Sequence, residues 1–311
     1  MTYYPVYIPT LNRYEHFRNC VESLARCTHA DKTELVVGLD YPPSEKYVEG
    51  WKKIKAYLPT LQMLGFGKVT IFEHKENLGQ VANPTFLWNY CAERYSACIV
   101  SEDDNVFSPN FLDFMDQALE RYADDPKIVS VCGYSQAACE CPNVCKTYLS
   151  YDACAWGMGM WCNKHRPIVE TYLKTGWAKS IVRRPMVLLR ILFAYPIALV
   201  MFLRGYFQGR KPGGDVMRTV YNFANRTYQL RPAKSLVRNE GNDGSGVNCG
   251  NNVDDKFRKQ EISTEATFDF GDKPPRLRTR GMFWQGTESI RLVQWLKRHT
   301  RKAPVVPAKM V

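Results

Sequence analysis

Three consecutive carboxylates, Glu102, Asp103 and Asp104, follow the short apolar run 97–100. The run predicts a buried strand that ends at the acids. Adjacent carboxylates repel one another and resist desolvation, so we expect a cation to compensate them. Mg²⁺ or Mn²⁺ suits this set, because hard cations prefer carboxylate oxygen and leave coordination sites for substrate phosphates. A solvated acidic turn is the alternative interpretation.

A helix is predicted to begin soon after the acids. Ser108 and Pro109 are typical of an N-cap and a first helical turn, and apolar residues recur at helical spacing from 111 to 122. The acids are therefore predicted to lie on an exposed loop that joins a strand to a helix.

The first half of the chain alternates strand and helix patterns. Strands are predicted at 6–8, 35–39, 69–72, 97–100 and 128–131, and helices at 14–27, 51–58, 86–91 and 111–122. This succession predicts an α/β fold with a doubly wound, mainly parallel sheet, whose ligands bind at the carboxyl ends of the strands. Arg13, Asp40 and His74 follow the first three strands, so they are predicted to share that edge with the acids.

The chain lacks the glycine-rich sequences of two common nucleotide-binding classes. Neither G-x-G-x-x-G after the first strand nor G-x-x-x-x-G-K-[ST] occurs, which disfavours a Rossmann dehydrogenase and a P-loop NTPase. A nucleotide could instead be held by Asp40 as acceptor and by Arg13 and His74 as donors, with a metal bridging its diphosphate. For His74, a solvated loop histidine is the alternative.

The segment 102–112, with Asp124-Asp125-Pro126 after the next helix, resembles the E-D-D (DXD) segment of GT-A glycosyltransferases. It is most similar to the N-acetylglucosaminyltransferase I group and more loosely similar to bacterial family 2 enzymes. The resemblance covers about residues 5–165 and, more weakly, 212–250. Its further matching positions are Arg13, Asp40, His74, Leu78-Gly79-Gln80, the aromatic and glycine-rich segment 154–161, and Gly214-Asp215-Val-Met-Arg218, which resembles the W-D-D-W-M-R element.

The resemblance implies a GT-A (nucleotide-diphospho-sugar transferase) fold and a role for each matched residue. Asp104 would hold the metal, Mn²⁺ or Mg²⁺, and Asp215 would be the catalytic base. Asp103 would bind the ribose, and Glu102 would contact hydroxyls of the donor sugar. The remaining nucleotide-sugar-binding residues implied are Pro9, Arg13, Asp40, His74, Gln80, Trp156 and Gly157. A helix N-cap is the alternative role of Asp215.

The activity expected from this resemblance is metal-dependent, inverting transfer of a hexose or N-acetylhexosamine from a UDP-sugar to a carbohydrate acceptor. The acceptor would be lipid-linked, in bacterial surface polysaccharide or glycolipid synthesis. Two alternatives remain open from the residues: a nucleotidyltransferase that makes a nucleotide sugar, and a basic nucleic-acid-binding protein. Nucleic acid is not expected as a partner, because no recognised binding motif occurs in the chain.

The net charge of +11 is unevenly distributed, with a balance of −5 over residues 1–150 and +16 over 151–311. Such a basic half is suited to an anionic partner. Residues 185–203 are long and apolar enough to consider as a membrane span, but Arg190 and Pro196 interrupt them and both flanks are basic. We therefore predict a helix pair that lies in an anionic membrane interface, with a buried core helix as the alternative.

Four segments are predicted. Residues 1–165 bind the nucleotide sugar, and 166–211 are the interfacial insertion. Residues 212–255 form the acceptor side, with the catalytic base and a flexible loop, and 256–311 are a basic tail with an amphipathic helix. The loop at 238–252 is predicted either to close over the substrates or to be an inert surface loop. In the basic tail, the helix around Trp295 would add a second membrane contact.

Cysteine usage and the N-terminus bear on location. The chain has eleven cysteines, an odd number, and no export signal, which favours reduced thiols and a cytoplasmic protein, peripheral at the inner membrane of a bacterium. Cys139, Cys141 and Cys145 could bind zinc, but they lack the usual C-x₂-C pair, so free thiols are the default prediction.

Overall fold

The computed structural model describes residues 1–135, 147–241, 243–245, 260–271, 274 and 276. The strands are β1 Val6–Thr10, β2 Glu34–Leu39, β3 Lys68–Glu73, β4 Ala97–Val100, β5 Asn105–Phe107, β6 Ile128–Cys132, β7 Thr147–Ser150, β8 Met158–Trp161, β9 Tyr228–Pro232 and β10 Val237–Asn239. The α-helices are α1 Tyr14–Ala25, α2 Val48–Tyr57, α3 Gly79–Ala92, α4 Phe111–Arg121, α5 Cys162–Leu173, α6 Trp177–Val182, α7 Pro185–Ala194, α8 Pro196–Phe207 and α9 Gly214–Asn225.

Eight of these strands form one sheet in the order β3-β2-β1-β4-β8-β6-β9-β7. Six run in one direction, and β7 and β8 run against them. The two remaining strands, β5 and β10, pair antiparallel in a small second sheet. The predicted α/β class with a mainly parallel sheet is therefore confirmed, and all five strands predicted in the first half are present.

Helices cover both faces of the parallel strands. Phe17 and Leu24 of α1 are buried on one side, and Leu87 and Cys91 of α3 are buried on the other. Strands covered on both faces read as continuous apolar runs, which is why the sequence pattern identified them. At Gly38 a side chain would overlap Asn83 and Leu87 of α3, so glycine lets α3 approach β2 closely.

Two local predictions after the acids were wrong. The acids do not lead directly into a helix, because β5 intervenes and pairs with β10, more than a hundred residues along the chain. The N-cap of α4 is Asn110 rather than Ser108. The Ser108 hydroxyl instead donates to the carbonyl of Ser263 and accepts the N–H of Asn110. Both errors have the same cause, since a distant segment supplies the partners.

The apolar segment 185–203 forms most of two helices, α7 and α8, which are separated at Tyr195. Their inner faces pack against α9, with Ile191 and Phe202 buried against residues such as Phe223. In the part of the chain that the structure describes, no helix is both long and apolar enough to cross a bilayer. The predicted helix pair is therefore present, and its contact with a membrane stays a prediction.

The described cysteines are free thiols: Cys20, Cys27, Cys91, Cys98, Cys132, Cys154 and Cys162. The predicted Cys139–Cys145 cluster and the helix around Trp295 lie outside the described residues.

Candidate active site

The carboxyl end of β1 brings Arg13 to the acids. Strands β1 and β4 are parallel neighbours, with Val6 opposite Ile99 and Tyr7 opposite Val100, so their carboxyl ends lie side by side. The Arg13 guanidinium forms ion pairs with both Asp103 and Asp104, and its Nη1 lies 2.7 Å from Asp104 Oδ2. One cation thus bridges two of the three consecutive acids.

Asp103 and Asp104 are buried, with 6% and 4% of their surfaces exposed, so the expectation of an exposed acid loop was wrong for these two. Asp103 also accepts a 2.9 Å hydrogen bond from the Thr10 hydroxyl. Burial raises the pKa of Asp103, although Arg13 opposes the shift. For Arg13 itself, burial acts to lower the pKa, but the charges of Asp103 and Asp104 outweigh it and the pKa is raised. The ion pairs are therefore what stabilises charge in this buried position.

Strand β10 covers the other side of Asp104. The Asn239 amide donates to Asp104 Oδ1 at 2.6 Å, and the Glu240 N–H donates to the Asp104 carbonyl at 2.9 Å. Gly241 stands directly against the Asp104 carboxylate and leaves no room for a side chain. Sequence reasoning missed these residues and read 238–252 as loop throughout, which is wrong at Arg238 and Asn239 because they belong to β10.

We expect Gly241→Ala to weaken metal-dependent nucleotide binding more than tenfold, because the added methyl would displace the Asp104 carboxylate. Overpacking of this kind costs about 1–3 kcal/mol of stability. Calorimetric titration with a nucleoside diphosphate and Mn²⁺ measures the first effect, and chemical denaturation measures the second. Gly213→Ala is the matched control, since its methyl would meet open space. Unchanged binding in Gly241→Ala would show that Asp104 is not positioned by this contact.

Glu102 and Asp215 are exposed and form the open side of the site. The Trp156 indole N–H donates to Glu102 Oε2 at 3.0 Å, and the Ala155 N–H donates to the Asp215 carboxylate. Two consecutive residues between β7 and β8 therefore connect the acid segment after β4 to the first turn of α9. The N-cap of α9 is Gly213, so Asp215 lies inside the first turn and is not the cap.

The two exposed acids have raised pKa values. For Glu102 the pKa rises to about 8, first because surrounding protein atoms desolvate it and then because Asp104, Asp215 and Asp103 repel its charge. For Asp215 desolvation raises the pKa to about 6, although Arg218 and Arg231 oppose it. Exposed side chains that are nevertheless partly desolvated are typical of the walls of a cleft. The charge of Asp215 also raises the pKa of Glu102, so the two acids lie near one another, and we call the gap between them the cleft.

Two buried arginines lie near Asp215. Arg231 is fully buried and pairs with Asp152 at 2.8 Å, while Gln229 accepts hydrogen bonds from it. Arg218, one turn after Asp215, is also buried and contacts a ring nitrogen of His165. Arg231 and His165 gave no recognisable sequence signal, because β9 and α5, the elements that carry them, were not predicted from the sequence patterns.

Trp156 lies beside Glu102 at the site, and Gly157 is buried next to it. The Trp156 ring packs edge-to-face on Tyr134, with ring centroids 4.7 Å apart. Gly157 has a φ of 66° and lies so close to the Phe111 ring that a side chain would overlap it. Glycine is therefore needed here for both backbone conformation and packing. Its predicted contact with a donor sugar stays a prediction.

Asp40 and His74 hold the neighbouring loop. The Asp40 carboxylate accepts the N–H groups of Leu78 and Gly79, each at 2.8 Å, and so fixes the start of α3. His74 Nε2 lies 3.1 Å from Asn83 Oδ1. Gln80 is exposed in the first turn of α3, and Pro9 is half-buried on β1. The structure thus gives Asp40 a positioning role that the sequence did not predict.

The acids fit a hard divalent cation in chemistry and in charge. Arg13 pairs with Asp103 and Asp104, whereas Asp215, whose pKa of about 6 leaves it mostly ionised at neutral pH, adds a further negative group nearby. Within the described ranges, no three His, Cys, Asp or Glu side chains converge as a metal site. An ion held by Asp104 would therefore take most of its ligands from water and substrate phosphates, as Mg²⁺ commonly does.

No protein-family model and no curated protein sequence matches the chain. Among solved structures, residues 1–349 of Staphylococcus aureus TarS are similar with 14% identity and a TM-score of 0.37, over 54% of this chain and 50% of that one. A mannosyltransferase from Pyrobaculum calidifontis, PcManGT, in complex with GDP-Man and Mn²⁺, is similar with 11% identity and a TM-score of 0.38, over 71% of this chain and 69% of that one. This chain thus spans half the length of the TarS fragment. Both TM-scores are below 0.5, and the function is therefore inferred from the residues of the site.

Proposed function

We propose that this chain is a metal-dependent glycosyltransferase of the GT-A type, which moves a sugar from a nucleotide-diphosphate sugar to a hydroxyl of a carbohydrate acceptor. One observation carries the proposal: Glu102, at the carboxyl edge of a mainly parallel sheet, and Asp215, on the first turn of α9, face one cleft and are linked through Ala155 and Trp156. The donor sugar is proposed to bind between these two acids.

The donor is proposed to lie on the sheet side of this cleft, because ligands of such sheets bind at the carboxyl ends of the strands. Asp104 would hold Mn²⁺ or Mg²⁺, and Glu102 would contact hydroxyls of the donor sugar. When bound, such an ion stabilises the negative charge on a departing diphosphate. Arg13 and Asn239 orient the Asp104 carboxylate for this purpose.

Asp215 is proposed as the general base of a single displacement. The acceptor oxygen forms a bond to the anomeric carbon, and the bond from that carbon to the diphosphate oxygen breaks with its electron pair leaving on the diphosphate. Asp215 takes the proton of the acceptor hydroxyl, and the configuration at the anomeric carbon is inverted. Since its pKa is about 6, Asp215 is mostly ionised at neutral pH, as a general base must be.

The substrates are proposed more finely on the sequence resemblance alone. The donor is a UDP-hexose or UDP-N-acetylhexosamine, and the acceptor is a lipid-linked carbohydrate of a bacterial surface polysaccharide or glycolipid pathway.

Calorimetric titration with UDP, GDP, CDP and ADP, in Mn²⁺ and then in EDTA, tests the donor side. We expect one diphosphate to bind in Mn²⁺ and to lose its affinity in EDTA. Glu170→Gln, which neutralises an exposed acid on α5, should bind like the unmodified chain. Release of pyrophosphate from a nucleoside triphosphate when a sugar 1-phosphate is added would instead indicate a nucleotidyltransferase. Binding of nucleic acid without any diphosphate would contradict the proposal.

A further inference from the structure

Residues 171–214 contain no acidic side chain. They carry eight basic residues, which are Lys174, Lys179, Arg183, Arg184, Arg190, Arg204, Arg210 and Lys211. All of them except Arg190 are exposed, and Arg190 is half-buried. This part of the chain, which includes α6, α7 and α8, therefore presents positive charge alone to its surroundings.

The same segment exposes large apolar side chains. On α7, Met186, Leu189 and Phe193 recur at helical spacing on the face opposite the buried Val187 and Ile191. On α8, the exposed Val200 and Phe207 lie on one face of the helix. The most exposed of these side chains are Phe193 on α7 and Phe207 on α8, at 63% and 75%. We name these outer faces of α7 and α8, with their basic flanks, the α7–α8 surface.

We propose that the α7–α8 surface docks on an anionic lipid bilayer, with the apolar side chains inserted at the level of the headgroups and the basic side chains among the phosphates. Helices of 10 and 12 residues are too short to span a bilayer but suit this interfacial position. Each basic residue near such a membrane raises the partition coefficient between water and the membrane about fivefold.

Charge favours a bilayer over a second copy of this chain as the occupant. Two copies joined through the α7–α8 surface would bring eight basic residues against eight, with no acidic residue in either segment to compensate. Nucleic acid would match the charge, but phosphates offer no partner to exposed Phe, Leu and Met side chains. An anionic bilayer satisfies both features, because its headgroups are charged and its interior is apolar.

Docking here would also bring the candidate base close to the membrane. The inner faces of α7 and α8 pack on α9, and six residues separate Phe207 from the start of α9, which holds Asp215. The cleft would then open near the headgroups, where a lipid-linked acceptor is presented. This consequence rests on the proposed glycosyltransferase function, whereas the docking itself does not.

Sedimentation with vesicles tests the docking. The full chain is mixed with vesicles of phosphatidylcholine alone or with 30% phosphatidylglycerol, at low and at high salt. We expect binding only to the anionic vesicles, and weaker binding at high salt. Arg183→Gln with Arg210→Gln should lower the partition coefficient about 30-fold. Lys52→Gln with Lys75→Gln, an equal change of exposed charge in the first half, is the control and should bind like the unmodified chain.

A second pair tests the apolar contribution. Phe193→Ser with Phe207→Ser should lower binding by about tenfold or more, because both side chains are exposed and would insert. The control is Met63→Ser with Val81→Ser, where both side chains are 78% exposed on other elements. A Phe193→Trp variant should show quenching of the new indole by brominated lipid, relative to the unmodified chain.

Three outcomes would overturn the docking proposal. The first is no binding of the unmodified chain to anionic vesicles, and the second is equal binding by the α7–α8 pairs and their controls. The third is a dimer in analytical ultracentrifugation that the Phe193→Ser and Phe207→Ser pair dissociates. Nucleotide binding is measured on the same samples, so failure of the docking and failure of the proposed enzyme function are told apart.

Discussion

Asp215→Asn is expected to lower kcat by about 10²–10⁴-fold and to leave nucleotide affinity unchanged. The amide cannot take the proton of the acceptor hydroxyl, yet it is isosteric with the carboxylate and can still accept the Ala155 N–H. Steady-state transfer kinetics and calorimetric nucleotide titration measure the two effects separately.

The dependence of kcat on pH is a second test of Asp215 as the base. Desolvation raises the pKa of Asp215 to about 6, and only the ionised carboxylate is a base. The value of kcat should therefore be constant well above pH 6 and fall tenfold per pH unit below it, and Asp215→Asn should lose this dependence. A variant with unimpaired transfer, or one that has lost donor affinity, would place Asp215 outside the role of base.

Asp104→Asn is expected to abolish metal-dependent nucleotide binding and, with it, turnover. The substitution removes the buried charge that pairs with Arg13 and is proposed to hold the metal. Because both partners lie in a buried network, it should also cost about 3–5 kcal/mol of unfolding free energy. Titration of UDP in Mn²⁺ and in EDTA, together with chemical denaturation, measures both quantities.

Asn239→Ala separates the two effects of the Asp104 substitution. It removes a 2.6 Å hydrogen bond to Asp104 but keeps the carboxylate and its charge. We expect a loss of stability of about 1–3 kcal/mol, with nucleotide binding still dependent on the metal. If Asp104→Asn binds the nucleotide in Mn²⁺ as the unmodified chain does, Asp104 has only a structural role.

The strands of the first half were predictable because each has an apolar run between recognisable turns, mostly buried in all of them except the half-buried edge strand β3. Strand β4 was predicted with its observed bounds, Ala97–Val100, and the prediction for β2, 35–39, lacked only the first residue, Glu34. Parallel strands of this kind are covered on both faces, so burial alone identifies them. Because these strands are parallel, the residues that follow them, Arg13, Asp40 and the acids, could be predicted to share one edge of the sheet.

The second half was less predictable, because its elements depend on distant partners. Strand β10 has three residues and forms only by pairing with β5, and β7 pairs with β9 some eighty residues later. The burial of Asp104 under Asn239 and Gly241 could not be predicted for the same reason. The Arg231–Asp152 pair lies in the core, where polar residues carry no sequence pattern that distinguishes them from surface ones.

Release of a nucleoside diphosphate from the nucleotide sugar that binds tests the central proposal most directly. In Mn²⁺, the unmodified chain should release the diphosphate slowly by donor hydrolysis and faster when a carbohydrate acceptor is added. Asp215→Asn should bind the same donor and show no acceleration by the acceptor. If no nucleotide sugar is consumed by the unmodified chain, or if consumption is the same in EDTA, the cleft between Glu102 and Asp215 is not a metal-dependent glycosyltransferase site.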